Sequence, residues 1–155
     1  MSQTNELEIM ERIALDLERV EESLASSFNT GAEDFNALIR PLSAAGGKRL
    51  RAQLCLLIAN AGTSIERQRI KIAEAVEMLH LATLIHDDVL DQAEIRRGED
   101  TIHMHKGNKV AILSGDYLFA KAFKIVSEMT NMKYLQVFSH IITCLVEGEF
   151  MQMED

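Results

Sequence analysis

The stretch that decides the fold is His80-Leu81-Ala82-Thr83-Leu84-Ile85-His86-Asp87-Asp88-Val89-Leu90-Asp91, followed by Arg96-Arg97-Gly98. It sets histidines and acids into a pattern that is otherwise apolar nearly all round. Upstream lie Ile72, Ala73, Val76, Met78 and Leu79. A helix so apolar belongs inside a bundle. Carboxylates delivered there are costly unless they are paired or bind a metal. Asp87 and Asp91 are four apart and share one helix face, with Cβ atoms roughly 5–6 Å apart. His80, seven before Asp87, lies near the same azimuth. Like charges so placed repel, and a divalent cation shared with a phosphorylated ligand reverses that sign.

The rest of the chain agrees with a bundle. Its 155 residues are enough for one domain with a sizeable core. The apolar content is high, aromatics are few, and there is one Pro and no Trp. This favours an all-α fold built on Leu, Ile, Ala and Met. A net charge of −8 argues against nucleic acid as the main partner. The polar, acidic N-terminus shows no signal peptide, and the apolar runs are too short for a transmembrane segment. The expected location is cytoplasmic. Cys55 and Cys144 sit in apolar helical patterns and read as buried free thiols.

Helix signals follow in order. Asn5 and Glu8 read as a capping box opening a helix over 5–28, with Leu7, Met10, Ala14, Leu17, Val20 and Leu24 as its apolar stripe. Asn29-Thr30-Gly31 should end it. A shorter piece starts near Glu33 and should break near Pro41. Helices are expected over 48–60 and 65–91, the latter with Ser64 as N-cap. Residues 92–107 read as a polar loop, and further helices over 108–130 and from 132 onward. The last has no stop signal, so the chain reads as cut in mid-element.

Two further clusters carry chemistry. Gly46-Gly47-Lys48-Arg49-Leu50-Arg51 places three cations at a helix start, where they oppose the helix dipole. A bound diphosphate would compensate them; a solvated basic turn is the plain alternative. Arg96-Arg97 suits phosphate oxygens, which guanidinium binds bidentately, with a loop salt bridge to Asp91 or Glu94 as competitor. Asp87-Asp88-x-x-Asp91 offers oxygen ligands, which point to Mg2+; a solvated acidic helix end is its alternative. His103-Met104-His105 lacks partner ligands and reads as ordinary loop.

Together these blocks resemble the polyprenyl synthetase family, the trans-isoprenyl diphosphate synthases. Two more blocks join them: Gly107-Asn108-Lys109-Val110-Ala111-Ile112-Leu113-Ser114-Gly115-Asp116-Tyr117-Leu118 and Gly148-Glu149-Phe150-Met151-Gln152. The resemblance is to long-chain enzymes of heptaprenyl or octaprenyl type. It implies residues 1–155 as the N-terminal half of one all-helical domain around a central cavity. It implies a prenyltransferase condensing isopentenyl diphosphate with an allylic diphosphate, with Mg2+ held by Asp87, Asp88 and Asp91. Arg96 and Gln152 would serve the allylic diphosphate, and Lys48, Arg51, His80 and Arg97 the isopentenyl diphosphate. A homodimer or heterodimer is implied, and the helix over 108–130 is a candidate interface.

Two departures stand out. The position where the family usually carries Pro is Asp100, and the second aspartate-rich motif is missing from this chain. The fragment alone should therefore be inactive. The growing product should run back along the aspartate helix past Thr83, Ala82, Leu79 and Val76. The first two are small, so the tunnel should stay open for a hexaprenyl to decaprenyl product. Two other readings compete. One is a subunit of a two-component synthase. The other is a metal-dependent phosphohydrolase built on His86-Asp87.

Overall fold

The computed structural model describes residues 3–28, 33–44, 47–62 and 66–153. Seven helices are described: α1 (Gln3–Ser27), α2 (Glu33–Ala44), α3 (Leu50–Ala61), α4 (Glu66–Leu90), α5 (Ile102–Lys106), α6 (Asn108–Ser127) and α7 (Met132–Met153). The one hairpin among the described residues joins β1 (Ile95–Arg96) to β2 (Glu99–Asp100). The all-α expectation holds.

The apolar helix α4 is the centre of the bundle, with α1, α3, α5 and α6 packed on it. Its buried residues, from Ala73 to Asp88, lie on several faces, as an apolar-all-round pattern requires. The neighbour α6 approaches through small residues, Ala111, Ser114, Gly115 and Ala122, all buried. Ser114 remains satisfied by donating its hydroxyl to Val110 O at 2.8 Å. Phe123 of α6 meets Phe138 of α7 edge to face, with centroids 5.5 Å apart. Phe138 is the buried residue of α7; Val137, Ile141, Leu145, Val146 and Phe150 are exposed.

The core is less apolar than the sequence pattern suggests. Asp16, Glu74 and Glu77 are buried acids. Each has partners from another helix. Asp16 takes a two-pronged bond from Arg69, 2.6 Å from Nε and 3.1 Å from Nη2. Glu74 accepts from Ser23 and Ser27, each at 2.7 Å. Among the described residues no buried side-chain nitrogen or oxygen lacks a hydrogen bond, as the cost of burying polar groups demands.

Several boundaries need correction. Asn5 already lies inside α1, so it does not cap it. The packed face of α1 is Ile13, Asp16, Val20 and Leu24, while Leu7, Met10 and Ala14 are exposed. The stripe shifts because Asp16 is drawn inward by Arg69. Helix α2 runs on past Pro41 to Ala44; the proline φ is itself helical, so the missing N–H costs one helical bond without ending the helix. Asn29-Thr30-Gly31, Gly46 and Ser64 lie outside the described residues. Cys55 is half-buried, its thiol pKa pushed up by burial and then by Glu77, whereas Cys144 is exposed.

The supposed loop over 92–107 is ordered as the hairpin and α5. Arg97 (φ 54°) and Gly98 (φ 84°) form its two-residue turn. Turns with positive φ at both positions match the twist of short hairpins. Asp100, standing where Pro was expected, pairs with Ile95.

Candidate active site

A cleft of about 450 Å³ opens between α4, α6 and α7, with Arg51 of α3 at its edge. Along the α4 wall stand His80, Thr83 and Asp87, three and four residues apart and so on one face. The opposite wall is Phe119 of α6 with Ile142, Val146, Glu149 and Met153 of α7. The cleft lining thus combines one cation, Arg51, with the acids Asp87 and Glu149, two histidines and a majority of apolar side chains.

The cationic end is assembled from three elements. Gly47 lets the Arg97 guanidinium lie against the loop before α3: a Cβ there would stand 3.1 Å from Arg97 Nη2. The hairpin turn therefore delivers Arg97 to the glycine-lysine-arginine segment. His80 senses this cluster. Burial, then the charges of Arg51, Arg97 and Arg96, hold its pKa below the ordinary imidazole value, with Glu77 opposing. Lys48 is exposed beside the same segment.

Arg49 behaves differently from Lys48 and Arg51. It lies outside α3, in the left-handed region at φ 47°, and is buried. Its guanidinium grips Glu21 at 2.6 and 3.0 Å and reaches Glu77 at 3.4 Å. Burial works against its charge, but the two carboxylates more than offset this and hold its pKa above the ordinary value. One of the three cations at this helix start is thus compensated inside the protein.

The acidic end is divided. Asp87 faces the cleft, and Asp91 follows it at the exposed end of the helix. Asp88 is buried on the other side of α4 and accepts Arg96 Nε at 2.7 Å. The Arg96 salt-bridge partner is therefore Asp88, neither Asp91 nor Glu94. The Asp87 carboxyl has its pKa raised, first by burial, then by the negative charges of Glu149 and Asp91; Arg96 opposes the shift. Among the described residues no three of His, Cys, Asp or Glu converge as a metal-holding group. Two carboxylates that repel each other, on one face and open to solvent, do suit a magnesium ion that completes its shell with waters and ligand phosphates.

A second, larger chamber of about 1,120 Å³ lies beyond Asp88, between α2, α4, the hairpin and α5, with Arg96 and Arg97 on its wall. The expected site residues are thus shared between two sides of α4. Arg51, His80, Thr83 and Asp87 line the cleft; Asp88, Arg96 and Arg97 line the chamber. Ala82, fully buried, and Leu79 and Val76 line neither. Gln152 is exposed and lines neither. Glu149, unassigned from sequence, faces Asp87 instead. Its signal was periodicity: it follows Ile142 by seven and precedes Met153 by four. His86 turns its Nε2 to Ile112 O at 3.1 Å, so this nitrogen of the proposed His86-Asp87 pair is engaged by the backbone of α6.

Comparison with known proteins gives the family. The family model described as Polyprenyl synthetase matches residues 32–155. The chain is 32% identical over 145 residues to octaprenyl diphosphate synthase of Escherichia coli, covering 94% of this chain and 45% of that protein. It is 38% identical over 141 residues to heptaprenyl diphosphate synthase component 2 of Geobacillus stearothermophilus, covering 90% and 44%. A polyprenyl synthase from Caulobacter crescentus, crystallised with calcium and isoprenyl diphosphate, superposes with a TM-score of 0.87 at 35% identity, covering 94% of this chain and 44% of that one. The chain spans less than half the length of these relatives.

Proposed function

This chain belongs to the polyprenyl synthetase family, and from that premise we propose that it forms the diphosphate-binding wall of a long-chain all-trans prenyltransferase. The observation that carries the reading is the single face of α4 that sets His80, Thr83 and Asp87 along one cleft, with Arg51 and Glu149 also on its lining. Support comes from the Caulobacter relative, which was crystallised with a divalent cation and isoprenyl diphosphate.

In this reading isopentenyl diphosphate sits among Lys48, Arg51, His80 and Arg97. The allylic diphosphate sits at Asp87 and Asp91. Asp88 acts differently, orienting Arg96 through its 2.7 Å bond. Magnesium bound by Asp87 and Asp91 would neutralise charge on the departing diphosphate. Arg96 and Arg97 supply further positive charge as the allylic C–O bond breaks. Phe119 and Ile142 would keep water from the carbocation; the isopentenyl double bond attacks it, and the new cation loses a proton to the departed diphosphate. The reaction would take place in the cytoplasm; among the described residues no helix is long and apolar enough to cross a membrane.

A second reading, a subunit that works only with a partner chain, is favoured by the likeness to heptaprenyl diphosphate synthase component 2. The test is direct. The gene read past codon 155 should encode a second aspartate-rich block, and the protein so extended should condense labelled isopentenyl diphosphate onto an allylic diphosphate with Mg2+ alone. Activity that appears only on adding a second polypeptide would select the subunit reading. No activity in either case would overturn both.

A further inference from the structure

Glu77 has no place in the chemistry just described, yet it is 3% exposed and lies where α4 meets the start of α3. Helix α3 begins badly by local standards. Its N-cap position is Arg49, which makes no side-chain cap bond, and its first turn contains no acid. The free N–H groups of a helix start need acceptors, and a carboxylate there also complements the dipole. Both are provided from α4. Glu77 Oε1 accepts the backbone N–H of Ala52 at 3.0 Å, and Oε2 receives Arg49 Nη1 at 3.4 Å. The opposite side of the same guanidinium is held by Glu21 of α1.

We infer that Glu77 is the positioning residue of the cationic subsite: it caps α3 from α4 and so fixes Arg51 and Lys48 opposite His80. The register makes this efficient. Ala52 follows Arg51 directly, and His80 follows Glu77 by three, on the same face of α4. One carboxylate thus sets the distance between the two walls that must share a diphosphate. The left-handed backbone at Arg49, a strained conformation for a residue with a side chain, is held by the same contacts. The inference rests on the reading of this end of the cleft as a diphosphate site.

The sign of the effect tests it. Glu77→Gln removes a negative charge near an anion site, so electrostatics alone makes inorganic diphosphate bind more tightly. Positioning makes it bind more weakly, because the amide has one acceptor oxygen for two donors, the Ala52 N–H and Arg49, and the start of α3 loosens. Calorimetric titration of the 155-residue chain with inorganic diphosphate should give binding about tenfold weaker in Glu77→Gln. The double variant Arg49→Met with Glu77→Gln removes both charges of the buried pair and keeps an acceptor for Ala52. With Arg49 gone, the one amide oxygen is left to the Ala52 N–H, so the cap on α3 re-forms and most of the parent's binding should return. Diphosphate binding that is unchanged or tighter in Glu77→Gln, or as weak in the double variant as in Glu77→Gln, while Arg51→Ala weakens it, overturns the inference and leaves the site standing. Binding that Arg51→Ala does not weaken overturns the diphosphate site itself, and the inference with it.

Discussion

Gly115 of α6 faces His86 of α4 so closely that a Cβ on the glycine would stand 2.2 Å from His86 Nε2. The imidazole fills the space a side chain would take and donates to the Ile112 carbonyl at 3.1 Å. The contact lies one residue before Asp87. It therefore sets the separation of α4 and α6 where the cleft turns acidic.

Gly115→Ala should destabilise the chain by about 1–3 kcal/mol, the usual cost of overpacking a close contact. His86→Ala on top of it should restore part of the loss. Chemical denaturation of the two single variants and the double variant checks this. Additive losses would mean that the two residues do not share one space.

Asp87→Asn should stabilise the metal-free chain at neutral pH. The folded carboxyl has its pKa raised by burial and by Glu149 and Asp91, so ionising it opposes folding. The gain should be about 0.5 kcal/mol after allowance for solvent screening. The same variant should lose the thermal stabilisation that Mg2+ and diphosphate together give the parent chain. A variant no more stable than the parent, and equally stabilised by these ligands, would remove Asp87 from the acidic site.

His80 should give the fold a pH slope of defined sign. The unfolded imidazole takes its proton near 6.5, while the folded one resists protonation to lower pH. Between those two values the unfolded chain binds more protons, so stability falls as the pH drops below about 6.5 and levels off below the folded value. His80→Gln should remove that part of the decline. Denaturation curves from pH 8 to 5 with a constant difference between parent and variant would defeat the assignment.

Product length should respond to Thr83 and not to Ala82. Thr83 lines the cleft, four residues before Asp87, whereas Ala82 is fully buried. In the protein at the full length of its relatives, Thr83→Phe should shorten the products without weakening magnesium binding. Ala82→Phe should instead cost about 1–3 kcal/mol of stability through core overpacking. Unchanged products from Thr83→Phe would place the tunnel elsewhere.

The sequence by itself determined the long helices, the buried position of α4, the spacing of Asp87 and Asp91, and the run of cations that follows the glycines before α3. These are properties of a 3.6-residue repeat and of residue chemistry, and both are local. Local reasoning also placed His80 and Asp87 on one face, because a helix carries its register along its length. It could not say which of three adjacent cations would be buried, since Arg49 is chosen by Glu21 and Glu77, 28 residues away on either side. Nor could it separate Asp87 from Asp88. A one-residue step rotates a side chain by about 100°, and only the packing of α6 and the hairpin decided that one carboxylate would face the cleft and the other Arg96. The cap on α3 was hidden for the same reason. Its acceptor comes from another helix, and hydrogen-bond demand at a helix end can be met by any carboxylate that tertiary packing brings within 3 Å.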